Sequence, residues 1–153
     1  MIVAAAGAAG SSGAAGAAGA IVGVGIDAVD VARFRRVLDR RPSFARRCFT
    51  DNERADAGTS ADMAQSLAAR FAAKEAVMKA LGTGIGGFAF TDVEVCRTTG
   101  TGATRNAPYL RLHGSAAELA GTRGAGTFHL SLTHTDGVAI AFVVAEQVTC
   151  APS

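Results

Sequence analysis

The stretch Arg70-Phe71-Ala72-Ala73-Lys74-Glu75-Ala76-Val77-Met78-Lys79-Ala80-Leu81-Gly82-Thr83-Gly84 decides how this chain is read. Ala, Lys, Glu, Met and Leu are strong helix formers, and Gly82 supplies a stop because glycine tolerates the left-handed conformation at a helix end. Leu67, Phe71, Met78 and Leu81 are expected to share the core-facing side. The polar residues are the unusual part. Glu75 and Lys79 lie one turn apart on one face, flanked by Lys74 and Arg70. They fit a solvated face carrying one Glu75–Lys79 ion pair, which is worth little at a surface. They equally fit a carboxylate that holds a divalent metal beside an ammonium that meets phosphate. The pair alone does not choose.

Working outward, Thr59 or Ser60 is placed to cap this helix, which is expected over residues 61–81. Upstream, Thr50-Asp51-Asn52-Glu53 matches a capping box and starts a short helix, preceded by a helical turn over residues 44–49. Residues 30–40 read as a helix with Val31, Phe34, Val37 and Leu38 inward and Arg33, Arg36 and Arg40 on another face. That basic face is either solvated or a docking site for an acidic partner. Ile21 to Ile26 is a short apolar strand with Asp27 at its end. Asp30 is as good a cap as Asp27 for the helix that follows, which leaves Asp27 available for something else. Downstream, Gly82 to Gly87 is a glycine-rich turn, but it lacks the Gly-Lys-Ser/Thr of a Walker loop and follows a helix instead of preceding one. Strands are expected over residues 90–97, 108–113, 127–133 and 137–145, with a short helix at 115–120 and a hairpin turn at Asp136-Gly137.

The 153 residues suit one domain, and residues 1–20, almost entirely Ala, Gly and Ser, are expected to be a flexible tail that fails the signal-peptide pattern. The domain is expected over residues 21–146, with a loose tail over residues 147–153. With one Tyr and no Trp, large core side chains are few, so only a modest core is expected and assembly into an oligomer would add to it. A formal net charge of +2 argues against broad nucleic-acid binding, and no apolar run is long enough to span a bilayer. Cys48, Cys96 and Cys150 form no CxxC pair, which argues against a zinc site or a disulfide framework and for reduced, cytoplasmic thiols.

Four segments taken in order resemble one family. They are Val24-Gly25-Ile26-Asp27 with Arg33 downstream, the Thr50-x-x-Glu53 box, Arg70-Phe71-Ala72-Ala73-Lys74-Glu75-Ala76 through Lys79-Ala80-Leu81-Gly82-Thr83-Gly84, and His129-Leu130-Ser131-Leu132-Thr133-His134. Together they resemble the holo-acyl-carrier-protein synthases, the short class of 4'-phosphopantetheinyl transferase. The resemblance covers roughly residues 21–146. It implies an α+β fold with one long central helix and short helices packed on a mainly antiparallel sheet. It implies transfer of 4'-phosphopantetheine from coenzyme A to a serine of an apo acyl carrier protein, with Mg2+ and release of adenosine 3',5'-bisphosphate. It also implies a homotrimer with active sites at subunit interfaces. By this resemblance Asp27 and Glu75 are the metal ligands, and Glu75 and Lys79 are catalytic. Coenzyme A contacts fall on Arg70, Lys79, Gly82, Thr83, Gly84, Pro108, His134 and Thr135. Carrier docking falls on Arg33, with Arg36 and Arg40 on the same basic helix. The tails and the Gly/Thr-rich loop from Thr98 to Asn106 have no clear counterpart, which leaves the contacts near Pro108 the least anchored.

The chemistry fits these residue types. Magnesium takes one or two carboxylates plus phosphate oxygens and waters. A lysine adds a compact positive charge at the leaving group. Glu75 acting through a water, or a metal-bound hydroxide, are the two candidate bases for the serine proton. Two other functions compete: a non-catalytic binder of coenzyme A or carrier, and a magnesium-dependent pyrophosphate hydrolase. A binder has no need of Asp27, Glu75 and Lys79 together, and a hydrolase has no need of a basic docking helix. The sequence does not say whether a fatty-acid or polyketide carrier is served.

Overall fold

In the computed structural model, residues 19–99 and 106–147 are described. Most of the expected N-terminal tail, most of the glycine-rich loop and most of the C-terminal tail lie outside them. The chain runs β1 (Ile21–Asp30), α1 (Val31–Arg40), α2 (Pro42–Cys48), α3 (Asp51–Gly58), α4 (Met63–Ala80), a 3-10 turn (Phe90–Asp92), β2 (Val93–Arg97), β3 (Pro108–Leu112), α5 (Gly114–Thr122), β4 (Ala125–His134) and β5 (Val138–Gln147). The expected α+β class is observed. The strands form two antiparallel sheets where one was expected, a three-stranded sheet in the order β1-β5-β4 and a β2-β3 hairpin.

Helix α4 is the centre. Its end matches the sequence expectation in detail: Gly82 has φ +65, its N–H donates to the Lys79 carbonyl, and the Thr83 N–H donates to the Met78 carbonyl. This is the paired bonding of a Schellman motif, which satisfies carbonyls that the helix end would leave open. Its start differs. Asp62 accepts from the Gln65 N–H and is the cap, whereas the Thr59 and Ser60 hydroxyls donate to carbonyls at the end of α3. A carboxylate at the N-terminus also complements the helix dipole, which favours Asp62 over a hydroxyl. The capping box at Thr50 and Glu53 is formed as read.

The expected stripe on α4 is only part of what is buried. Leu67, Met78 and Leu81 are buried and Phe71 is partly covered, but so are Ala64, Ala68, Ala69, Ala72, Ala73, Ala76 and Ala80. The alanines have a specific use. A Cβ placed on Gly23 would sit 1.9 Å from the Ala80 carbonyl oxygen, and one on Gly25 would sit 1.9 Å from that of Ala76. Strand β1 therefore lies directly on the helix backbone, and small residues on both elements make that approach possible. On the other side of α4, Phe71 stacks on Phe90 with ring centroids 5.0 Å apart and packs against Phe34 at 5.5 Å. This aromatic cluster docks α1 and α2.

Lys74 and Arg70 do not flank a solvated face. Lys74 is fully buried; its ammonium donates to Glu53 at 2.8 Å, to the Phe90 carbonyl at 2.8 Å and to the Val93 carbonyl. Glu53, also buried, accepts from the backbone N–H groups of Val95 at 3.0 Å and Thr50 at 2.9 Å. One internal ion pair thus ties α3, α4, the 3-10 turn and β2 together. Burial pulls the Lys74 ammonium below its usual range, and the Glu53 carboxylate opposes that pull. Removing one partner strands the other charge in the interior. Lys74→Ala is expected to lower unfolding free energy by about 3–5 kcal/mol in urea titration. The double change Lys74→Met with Glu53→Leu should recover much of that loss, because no lone charge remains.

Candidate functional site

The site begins with strand periodicity. Side chains on a strand alternate faces, so Gly23, Gly25 and Asp27 form one row on the helix side of β1. The strand does not end at Ile26 as read from sequence; it continues to Asp30, whose carboxylate caps α1 by accepting from the Arg33 N–H at 2.7 Å. Asp27 therefore sits inside a strand with no capping duty. The two glycines bring that row onto α4, and Asp27 is set down between Glu75 and Lys79.

The resulting geometry is a three-residue cluster. The Lys79 ammonium donates to the Asp27 carboxylate at 2.8 Å and to the Ile26 carbonyl at 2.8 Å. The Glu75 carboxyl lies close enough to Asp27 to feel its charge. The ion pair of Lys79 is thus with Asp27, not with Glu75 as the surface reading of α4 has it. Burial and the neighbouring Asp27 charge push Glu75 up to about 7, against the opposing pull of Lys79. Two carboxyl groups held this close repel each other when both are charged, and Lys79 answers part of that charge. Among the described residues no group of three or more His, Cys, Asp and Glu side chains is gathered for a metal. Two carboxylates with no third protein ligand fit magnesium, which leaves its remaining positions to phosphate and water, and do not fit a closed zinc cage.

The other residues singled out divide into two groups. Gly82, Thr83 and Gly84 lie with Lys79 at the C-terminal end of α4. Arg70, Pro108 and His134 instead line a hollow of about 410 Å3 beside the N-terminal half of α4, which Ser66, Arg97 and Leu132 also line. Thr135 borders it, its carbonyl accepting from the Gln65 side chain at 2.9 Å. Ser66 and Glu75 are nine residues apart, so on an ideal helix they point to opposite sides and lie about 13 Å apart along the axis. The two groups do not meet within one chain. Arg70 is also not a free cation: its guanidinium donates to the Ser66 carbonyl and hydroxyl and to Asp56, and only 2% of it is exposed. Arg33, Arg36 and Arg40 are exposed on α1, while Arg35 pairs with Asp62 at 2.6 Å.

Sequence reasoning missed Arg97, which no motif marks, and the Lys74–Glu53 pair. The pair left a signal, since Glu53 closes a capping box and Lys74 precedes Glu75, but nothing local said that the two side chains meet.

Comparison with known proteins gives the family. A family profile described as the 4'-phosphopantetheinyl transferase superfamily matches residues 23–143. The holo-[acyl-carrier-protein] synthase of Beutenbergia cavernae is 48% identical over 83% of this chain and 99% of that protein. Among solved structures, the holo-[acyl-carrier-protein] synthase of Neisseria meningitidis superposes with a TM-score of 0.74 at 31% identity, covering 84% of this chain and 100% of that one. The enzyme of Bacillus anthracis, solved in complex with CoA (3',5'-ADP), superposes with a TM-score of 0.67 at 36% identity, covering 84% of this chain and 98% of that one.

The Glu75 shift has a measurable consequence. Its carboxyl titrates near 7 in the fold against 4.5 for an ordinary glutamate, so the folded state holds a proton that the unfolded chain has released. The stabilisation is fully present below about pH 4.5 and is lost as pH rises through 7. In metal-free protein, the melting temperature of Glu75→Gln minus that of wild type should grow from pH 5 to pH 8. Differential scanning calorimetry across that range checks it; a difference that stays flat refutes it.

Proposed function

This chain belongs to the 4'-phosphopantetheinyl transferase superfamily and is a transferase of the holo-[acyl-carrier-protein] synthase type, and from that premise we propose that Asp27, Glu75 and Lys79 are its reaction centre. The enzyme moves phosphopantetheine onto an apo acyl carrier protein. The observation that carries the finer reading is the convergence of the Asp27 and Glu75 carboxyl groups with the Lys79 ammonium. Asp27 and Glu75 would hold Mg2+, and coenzyme A is the donor substrate. When bound there, Mg2+ supplies positive charge to the pyrophosphate oxygens as the phosphoanhydride breaks.

The chain's own groups do the rest. Lys79 now neutralises Asp27. One turn from Glu75 at the end of α4, its ammonium would steady charge on the departing adenosine 3',5'-bisphosphate. The carrier serine oxygen bonds to the phosphorus that bears pantetheine, and the bond from that phosphorus to the bridging oxygen breaks. Glu75 is the candidate acceptor of the serine proton, through one water. The exposed arginines of α1 supply a basic face for the carrier. Carriers of this kind are acidic, so charge complementarity speeds encounter.

A homotrimer with shared sites accounts for two further features. The Pro108–His134 hollow and the Asp27–Glu75–Lys79 cluster lie apart within one chain, so a coenzyme that touches both would bridge two subunits. The outer face of the three-stranded sheet also carries Ile26 at 53% exposure and Phe142 at 42%, paired across β1 and β5. Exposed apolar side chains in one patch favour cover by another copy. The strand β5 is half covered already: Ala139, Ala141, Val143 and Ala145 face α4, and the alternate residues face outward.

Mass spectrometry of an apo carrier incubated with coenzyme A and Mg2+ reads the transferred group directly; an unmodified carrier would overturn the reading. Lys79→Ala should lower kcat by about a hundredfold or more with a much smaller change in coenzyme A affinity, since the lost charge acts most on the leaving group. Lys79→Arg should restore only part of it. Near-normal turnover in Lys79→Ala would leave the lysine as no more than the partner of Asp27. Shared sites predict complementation: Lys79→Ala and His134→Ala chains, each weak alone, should regain activity when unfolded and refolded together. Failure of the mixture to exceed either parent would place each site within a single chain.

A further inference from the structure

We infer that Gly25 is a positioning residue for the reaction centre: the Cβ it lacks sets how far the Asp27 carboxylate stands from Glu75, and so how well the pair grips a divalent cation. This rests on the cation reading above and adds to it the residue that fixes the spacing of the two ligands. Magnesium takes oxygens at about 2.1 Å in near-ideal octahedral geometry, so a carboxylate displaced by about 1 Å is lost to it as a ligand.

Two contacts place Asp27. The ladder to β5 sets its position along the strand, opposite Ala141. Its height above α4 has another source. The carboxylate is held by Lys79, whose long flexible side chain can follow it over a range of heights. The height comes from Gly25. A Cβ there would lie 1.9 Å from the Ala76 carbonyl oxygen, 2.8 Å from its carbon and 2.9 Å from the Ala80 nitrogen. Carbon–oxygen contacts settle at about 3.3–3.6 Å, so a methyl group would force strand and helix apart by about 1 Å or more. All three atoms are backbone, so no change of rotamer relieves the clash.

Gly23 makes the same kind of contact farther from the site. Its Cβ would also lie 1.9 Å from a carbonyl oxygen, that of Ala80. Two strand residues advance about 6.7 Å and four helix residues about 6.0 Å, so the glycine row of β1 and the Ala76–Ala80 row of α4 stay in step. Gly25 is one step from Asp27 in that row and Gly23 is two. A lift at Gly25 therefore carries Asp27 with it. A lift at Gly23 acts mainly on the start of β1, where Ile21 pairs with Glu146. The two glycines are alike in steric demand and unequal in leverage on the carboxyl pair.

The probe is Mn2+, which takes the same oxygen ligands as magnesium. Its binding to the enzyme without coenzyme A is read by electron paramagnetic resonance, and the melting temperature of each variant is measured beside it. Gly25→Ala should raise the Mn2+ Kd by about tenfold to a hundredfold, the usual cost of losing a group that orients a metal ligand. Gly23→Ala should lower the melting temperature by a comparable amount and raise the Kd much less. Asp27→Glu tests the spacing without touching the strand contact. With Gly25 in place the longer acid should overshoot and weaken binding; in the Gly25→Ala background it should recover part of the loss. Should Gly25→Ala not fold, the comparison of Asp27→Glu with wild type still decides. Unchanged affinity in Gly25→Ala, equal losses in the two glycine variants, or an Asp27→Glu that binds as tightly as wild type overturns the assignment and leaves the cation reading intact. A wild type that binds no Mn2+ overturns both.

Discussion

The contact on which the rest depends is the seating of β1 on the backbone of α4. Gly23 and Gly25 touch the carbonyls of Ala80 and Ala76, and no side chain fits between them. That contact brings the strand close enough for the next residue in the same row, Asp27, to reach Lys79 and Glu75. A larger residue at either glycine would lift the strand off the helix and pull apart the carboxyl pair. The same constraint explains the alanine content of α4 and of the helix-facing side of β5, where Ala139, Ala141 and Ala145 are buried. Small residues here buy proximity at the expense of apolar area, so the fold leans on other interactions for stability.

Those interactions lie on the far side of α4. The Phe34, Phe44, Phe49, Phe71 and Phe90 rings form one cluster, and the Lys74–Glu53 pair stands beside it, with the Lys74 ammonium 5.4 Å from the Phe49 ring centroid. Every polar atom of that pair has a partner, which is the condition for a buried ion pair to be tolerated. The arrangement is directional in a way that apolar packing is not. It fixes α3, the 3-10 turn and β2 at set positions along α4, and so sets where Arg97 leaves β2 relative to Arg70.

The helix therefore serves two surfaces. One carries Glu75 and Lys79 against β1; the other carries Ser66 and Arg70 against the hollow of Pro108, Arg97 and His134. In the proposed homotrimer, symmetry would return the second half of each site from a neighbour. The outward Ile26 and Phe142 lie on the sheet that such a neighbour would cover.

The amino-acid sequence by itself determined the local structure. The capping box at Thr50, the Gly82 stop, the alternation of β4 and the helix over the Arg70–Leu81 stretch all follow from interactions within a few residues, and all are observed. It also set the family, because the ordered segments around Asp27, Glu75 and His134 carry it. What it left open are the pairings between distant residues. Lys79 four residues after Glu75 reads as that residue's partner, yet Asp27, fifty-two residues away in sequence, takes the ammonium. Lys74 and Arg70 read as surface cations, yet both are enclosed, because Glu53 and Asp56 on α3 come to meet them. Thr59 and Ser60 read as caps until Asp62 is seen in place. Arg97 carries no sequence signal, since only the fold brings it beside Arg70 on the Asp56 carboxylate. Periodicity and capping act over one turn or one strand step and are legible in order. Burial, ion pairing and the opposition of two helix faces depend on which elements pack together, and only the tertiary structure decides that.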